Sequence, residues 1–267
     1  MSSQVSVNGL QVNYLLEGPE DAPVVTFSHS LSANLSMWDA QGAALRDRYR
    51  VLRYDTRGHG GTAGTEGAYT LEQLADDAAG LLRALGIDRT HFVGLSLGGM
   101  IGQTLALAHP ELLHTLTLCD TSSGYGPEAR EMWQQRIDAA QKSGLEANVE
   151  PTIERWFSPG FVARAPETME RVREMIRSTP VVGYVGCGHA ISNLALTERI
   201  RAIKVPTLII VGEDDPGTPV EMHRIINDRI AGSELVVIPV ARHLSNIEAA
   251  DEFNAALVRF LDRHSAV

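Results

Sequence analysis

The sequence predicts an α/β protein: a mostly parallel central sheet with helices on both faces, and a helical cap inserted into it. Three observations predict this. Aliphatic and β-branched runs alternate with helix-period segments from Val5 to Leu118 and again from Val205 onward, the pattern of a parallel sheet joined by crossover helices. The alternation stops after Thr121. From Gly124 to about Leu196 no convincing strand is found, and Pro127, Pro151, Pro159, Pro166 and Pro180 divide short helical segments. Finally, Gly94-Leu95-Ser96-Leu97-Gly98 stands between an apolar run and a small-residue segment, where a strand turns sharply into a helix and lifts a serine to the sheet's edge. The expected organisation is a core of residues 1–123 and 196–267 with a cap of residues 124–195.

Taken in order, Val12–Leu16 and Val24–Phe27 read as strands, followed by a helix from about Trp38 to Arg46 and a strand over Tyr49–Tyr54. Thr70 opens the next helix as a Thr-x-x-Gln box with Gln73. Leu71, Leu74, Ala78, Leu81, Leu82 and Leu85 form its apolar stripe, and Gly86 ends it. Thr90–Val93 is the strand before the serine turn, and the helix after it stops at His109-Pro110. Leu113–Leu118 is the last strand before the cap. Beyond the cap come a strand (Val205–Val211), a helix (Val220–Ile230), a strand (Glu234–Ile238) and a closing helix over Asp251–Arg263, with Asp251 as its N-cap. Gly at both ends of the G-x-S-x-G run relieves crowding around a strained turn.

With 267 residues, 44% hydrophobic and 21% charged, the chain has ordinary globular composition and the length of one α/β domain. A net charge of −10 argues against nucleic acid as a partner. It also requires any anionic substrate to be held by a local basic cluster. No apolar run reaches membrane-spanning length, and Met1-Ser2-Ser3-Gln4 lacks the basic and apolar regions of a signal peptide. The expectation is a cytoplasmic protein without a membrane partner. Cys119 and Cys187 form no metal-ligand pattern and no disulfide framework.

A serine hydroxyl needs a base, and the base an orienting acid. The strand Thr207–Val211 runs into Gly212-Glu213-Asp214-Asp215-Pro216, and Leu235–Ile238 runs into Pro239-Val240-Ala241-Arg242-His243. Functional groups of a parallel sheet gather beyond the carboxyl ends of its strands, so Ser96, Asp215 and His243 can converge there as nucleophile, acid and base. Asp214 and the strand-end Asp120 are the alternatives for the acid. His29 and His59 are expected to organise backbone turns, His223 and His264 to lie on helix surfaces, and Asp55 to pair with Arg57 or the turn backbone. The backbone amides of Leu97 and Leu31 are the candidates for an oxyanion hole.

With these residues assembled, the chain resembles the 3-oxoadipate enol-lactonases of the α/β-hydrolase superfamily. The resemblance is carried by Leu52-Arg53-Tyr54-Asp55-Thr56-Arg57-Gly58-His59-Gly60, by Gly94 through Gly102 and by Leu118-Cys119-Asp120-Thr121. Within the cap it is carried by Glu154-Arg155-Trp156-Phe157-Ser158-Pro159 and Thr179-Pro180 through Gly183-Tyr184, and near the end by His243-Leu244-Ser245-Asn246-Ile247-Glu248. It implies an α/β-hydrolase fold, hydrolysis of the enol-lactone of 3-oxoadipate in aromatic-acid degradation, and no metal or organic cofactor. It carries nucleophile, acid and base onto Ser96, Asp215 and His243. One departure is local: after Cys119-Asp120-Thr121 the family commonly continues Ala-Ala-Arg, whereas this chain has Ser122-Ser123-Gly124.

An acidic protein acting on a carboxylate-bearing lactone needs a cationic anchor, best supplied by arginine. The cap offers Arg130, Arg136 and Arg155, with His189 a further candidate and Trp133 and Trp156 as apolar walls. Solvated surface arginines and cap-core tryptophans are the plainer reading of the same residues. A C–C hydrolase of ring-cleavage products, a general carboxylesterase and a non-catalytic ligand receptor remain alternatives on the same fold. The helical cap would also suit a homo-oligomer.

Overall fold

The computed structural model describes residues 2–265. Eight strands, β1 (Ser3–Val7), β2 (Leu10–Glu17), β3 (Val24–Ser28), β4 (Arg50–Tyr54), β5 (Thr90–Leu95), β6 (Leu113–Cys119), β7 (Thr207–Gly212) and β8 (Glu234–Ile238), form one sheet. Its order is β1-β2-β4-β3-β5-β6-β7-β8. Only β2 runs against its neighbours; from β4 to β8 every pairing is parallel. β1 went unread in the sequence because its residues, exposed at the edge, carry no apolar run.

Helices α1 (Asp39–Leu45), α2 (Leu71–Ala84) and α3 (Leu97–Ala108) connect the first strands, and α4 (Glu128–Ser143), α5 (Val149–Trp156), α6 (Pro159–Arg164), α7 (Pro166–Arg177) and α8 (Val181–Ser192) lie between β6 and β7. α9 (Val220–Arg229), α10 (Ser245–Glu248) and α11 (Ala250–His264) complete the chain. α2 and α3 cover one face of the sheet, α1 and α11 the other. On β5 the period-2 alternation sends Phe92 to the α2/α3 side and Val93 and Leu95 to the other. All six residues of β5 and of β7 are buried, as strands sandwiched between helix layers must be. Among the described residues no helix is long and apolar enough to cross a membrane.

Local signals explain most boundaries. Thr70 Oγ1 accepts the Gln73 amide at 3.1 Å, and Gly86 ends α2 with a φ of 68°. Pro159 and Pro166 sit in the first turns of α6 and α7, where a missing N–H costs nothing, and Pro127 and Pro180 occupy N-cap positions. The closing helix corrects one expectation. It begins at Ala250 after Ala249 as N-cap, so Asp251 is not a cap; it lies inside the first turn, where its charge faces the positive helix end. The segment 124–195 contains five helices, and an isolated bridge between Gly124 and Ala195 ties its two ends together.

The strand order places the functional loops. From β3 the chain crosses outward to β4, then returns to β5 on the other side of β3. The loops after β3 and β5 therefore part at the switch between them, where open α/β sheets hold their ligands. Leu31 and Ser96 stand on those two loops.

Candidate active site

Ser96 follows the last residue of β5 and takes φ 55°, ψ −113°, a conformation that strains any side chain carrying a Cβ. The surrounding backbone enforces it. The Ser96 amide donates to the Cys119 carbonyl at 2.9 Å, and the Ser96 carbonyl accepts from Thr121 Oγ1 at 2.7 Å. The two glycines of the motif are demanded by close approach: a Cβ on Gly94 would meet the Gly98 carbonyl oxygen at 2.1 Å, and one on Gly98 the Ser28 carbonyl oxygen at 2.1 Å. Ser96 stands at the N-terminus of α3, and its side chain is half-buried at the wall of a cavity of about 220 Å³.

His243 reaches the same cavity from the loop after β8. Its Nδ1 lies 2.8 Å from Asp215 Oδ2, on the loop after β7. Asp215 is fully committed: Oδ1 accepts the Gly217 and Thr218 amides at 2.8 and 3.1 Å, and Oδ2 accepts Thr218 Oγ1 at 2.6 Å. Burial opposes charge on both residues, but each opposes it less than the pair favours it. Asp215 is held below the usual carboxylate range by the His243 charge and its hydrogen bonds, and His243 is raised above the ordinary imidazole value by Asp215. A histidine so placed can accept a proton while its other nitrogen stays on the carboxylate. Asp214, one residue away, is exposed, and Asp120 is buried but bonded to Gly212 and Ser245 rather than to the imidazole.

Leu31 lines the cavity, and among the described residues neither its amide nor that of Leu97 has an acceptor. The loop carrying Leu31 is clamped by two buried histidines. His29 Nε2 accepts the Thr56 amide at 3.0 Å, and His59 Nε2 accepts the Ser32 amide at 3.2 Å. Burial lowers their pKa values to about 4 and about 3, so both are neutral acceptors at neutral pH. Asp55 acts alongside, accepting the Leu35 and Gly61 amides at 2.7 and 2.8 Å. It does not pair with Arg57, whose guanidinium is taken by Asp77 at 2.8 Å. His223 is a correction of a different kind. It is fully buried, its Nε2 accepting the Thr121 amide at 2.8 Å, because that face of α9 packs on the β6 exit instead of facing water.

The opposite wall of the cavity comes from residues 124–195. Trp133, Arg136, Arg155 and Trp156 all line it. The Arg136 guanidinium sits 5.0 Å from the centre of the Trp133 ring, one turn apart on α4. Arg155 donates to Thr152 Oγ1 at 2.9 Å. Among the described residues no carboxylate pairs with either guanidinium. Burial first, and then the Arg136 charge, press Arg155 below its ordinary pKa. Two candidates fall away. His189 is not on the cavity wall: Tyr184 and Ile191 of α8 line it, and His189 points off that face. Arg130 is exposed on the outer side of α4. The sequence reading missed Tyr125, Thr152, Tyr184 and Thr218, all on the cavity wall. Burial raises the phenol pKa of Tyr125 and Tyr184, leaving both as neutral donors. Ser122 and Ser123, where the resembled family carries Ala-Ala, are buried and turned to Gly124 and Thr197.

Comparison with known proteins agrees with this geometry. A family model for the alpha/beta hydrolase fold matches residues 23–250. The chain belongs to the alpha/beta hydrolase family. It is 35% identical to 3-oxoadipate enol-lactonase 2 of Acinetobacter baylyi, over 97% of this chain and 96% of that one. Among solved structures, the enol-lactonase from Burkholderia xenovorans superposes with a TM-score of 0.94 at 38% identity, covering 97% of this chain and all (100%) of that one. A thermophilic esterase from Thermogutta terrifontis gives a TM-score of 0.93 at 28% identity, each chain covered at 100%. The resemblance to the enol-lactonases is thus borne out along nearly the whole chain. This member of the family is an ester or lactone hydrolase.

Proposed function

We propose that this protein hydrolyses 3-oxoadipate enol-lactone, or a closely related carboxylate-bearing lactone, through an acyl-enzyme on Ser96. Ser96 Oγ attacks the lactone carbonyl as His243 takes its proton, and the oxyanion is held by the Leu31 and Leu97 amides. The ring C–O bond then breaks, and the departing enol oxygen takes the proton back from His243. Because the leaving group is tethered, the acyl-enzyme carries the entire ring-opened substrate. Water then attacks the ester carbonyl, giving its proton to His243, and Ser96 leaves with that proton. Asp215 holds the imidazole in the required tautomer and offsets its transient charge.

The reading assigns residues 1–123 and 196–267 to the catalytic core and 124–195 to a cap over it. Arg136 and Arg155 bind the substrate carboxylate, with Trp133 and Trp156 as the apolar walls beside it; His189 has no part. The single observation that supports this choice of substrate is the pair of guanidiniums on the cavity wall with no carboxylate among the described residues to neutralise them. Like charges kept together at a cavity stabilise the protein only when an anion joins them. A panel of the enol-lactone, its neutral methyl ester, simple aryl esters and a vinylogous diketone tests the reading. We expect kcat/KM to be highest on the enol-lactone; a preference for neutral aryl esters points to a general carboxylesterase, and turnover of the diketone alone to a C–C hydrolase.

A further inference from the structure

The proposed reaction leaves Asp120, a fully buried carboxyl at the strand exits, without a task. It follows Cys119 at the end of β6 and takes a φ of 42°, a left-handed conformation in which a non-glycine residue is strained. Its amide donates to the Ile210 carbonyl of β7 at 2.9 Å. Its Oδ1 accepts the amide of Gly212, three residues before Asp215, at 2.8 Å. Its Oδ2 lies 2.5 Å from Ser245 Oγ, two residues beyond His243. The residues on either side of it, Cys119 and Thr121, are those that bond the Ser96 backbone.

We propose that Asp120 is a positioning residue of this site: its carboxyl locks the Asp215 loop and the His243 loop to the strand end that braces the Ser96 turn. This rests on the roles proposed for Ser96, Asp215 and His243. No other side chain described here bridges the β7 exit and the start of α10 in this way. The titratable groups that face it are Asp215 and His243 from the two loops and Cys119 from its own strand, with His223 of α9 held on the adjacent Thr121 amide. Burial, then the Asp215 charge, push the Asp120 carboxyl well above the usual carboxylate range. A carboxyl whose charge is so disfavoured suits the task. One oxygen accepts the Gly212 amide and the other bonds the Ser245 hydroxyl, and a proton taken up here reduces the competition with Asp215 for the imidazole.

The test compares Asp120→Asn with Asp120→Ala on a neutral aryl ester, alongside Ser96→Ala. Asparagine keeps both bonds, its oxygen toward Gly212 and its amide toward Ser245. We expect it to hold kcat within about threefold of the parent and to leave the acidic limb of kcat/KM in place. Alanine frees the loops, and we expect kcat to fall roughly 10- to 100-fold with KM almost unchanged, at temperatures where circular dichroism shows the protein folded. If Asp120→Ala does not fold, Ser245→Ala removes one of the two tethers and should lower kcat about threefold to tenfold. Undiminished kcat in Asp120→Ala or Ser245→Ala overturns the proposal. So does an Asp120→Asn protein as slow as Asp120→Ala with its acidic limb moved to lower pH, since charge rather than bonding would then be what the site uses. An active Ser96→Ala protein would instead remove the mechanism on which the proposal stands.

Discussion

The two walls of the cavity are built on opposite principles. On the sheet side the groups that position the site are tied down: Asp215 accepts four hydrogen bonds including that of His243, the Ser96 backbone is bonded on both sides, and the Leu31 loop is clamped by His29 and His59. On the side of residues 124–195 the polar groups are left wanting. Among the described residues Arg136 has only the face of Trp133, Arg155 only a threonine hydroxyl, and Tyr125 and Tyr184 present phenols with no partner. Preorganised donors and bases are what an acyl transfer needs, because reorganising them during the reaction would raise the barrier. Unsatisfied cations are what recognition needs, because their partner arrives with the substrate. On the proposed reading the difference separates chemistry from selection, and each wall should be open to disabling alone.

The largest effect belongs to the sheet wall. Ser96→Ala should lower kcat by about 10,000-fold or more, equally on charged and neutral substrates, while leaving thermal unfolding nearly unchanged. Steady-state kinetics on both substrate types checks this, and retained activity in a folded protein breaks the assignment. Asp215→Asn comes next, with a loss of about 1,000- to 10,000-fold in kcat. It also carries a pH signature. As the proposed base His243 must be neutral, so activity should fall as pH drops through its pKa, which Asp215 raises above the ordinary imidazole value. Removing the carboxylate charge should move the acidic limb of kcat/KM to lower pH. A limb that stays put would mean that another group titrates there.

A smaller effect concerns how the sheet wall is held. His29, His91 and His223 stay neutral in the folded protein down to about 4 and His59 to about 3, while an unfolded imidazole takes its proton near 6.5. Between those values the unfolded chain binds more protons, so the stability these groups supply is complete above 6.5 and is lost as pH falls toward 4. Burial lowers His114 as well, and His243 and Asp120, whose pKa values are raised, pull the other way, two groups against five. The urea midpoint should therefore decline on acidification through this window. A flat or rising midpoint would show that the buried histidines are not held neutral.

How much of this the sequence discloses depends on which force decides each feature. The serine turn is legible because Gly94 answers to a clash with the Gly98 backbone inside the same five residues, although Gly98 answers to the distant Ser28 carbonyl. The strands are legible because two buried faces demand unbroken apolar runs. Choosing Asp215 over Asp214 depends on which of two neighbours points inward, which the 2.8 Å contact to His243 decides and no local pattern encodes. The phase of α8 is equally silent. Gly183 and Gly186 pack against the Gly58 backbone and the Tyr69 ring, and Gly188 faces Ile137 and Trp133, so small residues occur all round and hide which side meets the cavity. That is why Tyr184 was missed and His189 proposed. His223 misleads for a related reason: its partner, the Thr121 amide, lies 102 residues away in sequence.

The separation of chemistry from selection is tested most directly by the double variant Arg136→Leu/Arg155→Leu. Its kcat/KM would be measured on the carboxylate-bearing enol-lactone and on the neutral methyl ester of the same compound. We expect the charged substrate to lose roughly 100-fold or more, chiefly through KM, and the neutral one to change by less than about threefold. The ratio between the two would then collapse while kcat on the neutral ester survives. Equal losses on both substrates, or none on either, would contradict the division of the cavity into a catalytic wall and a recognition wall.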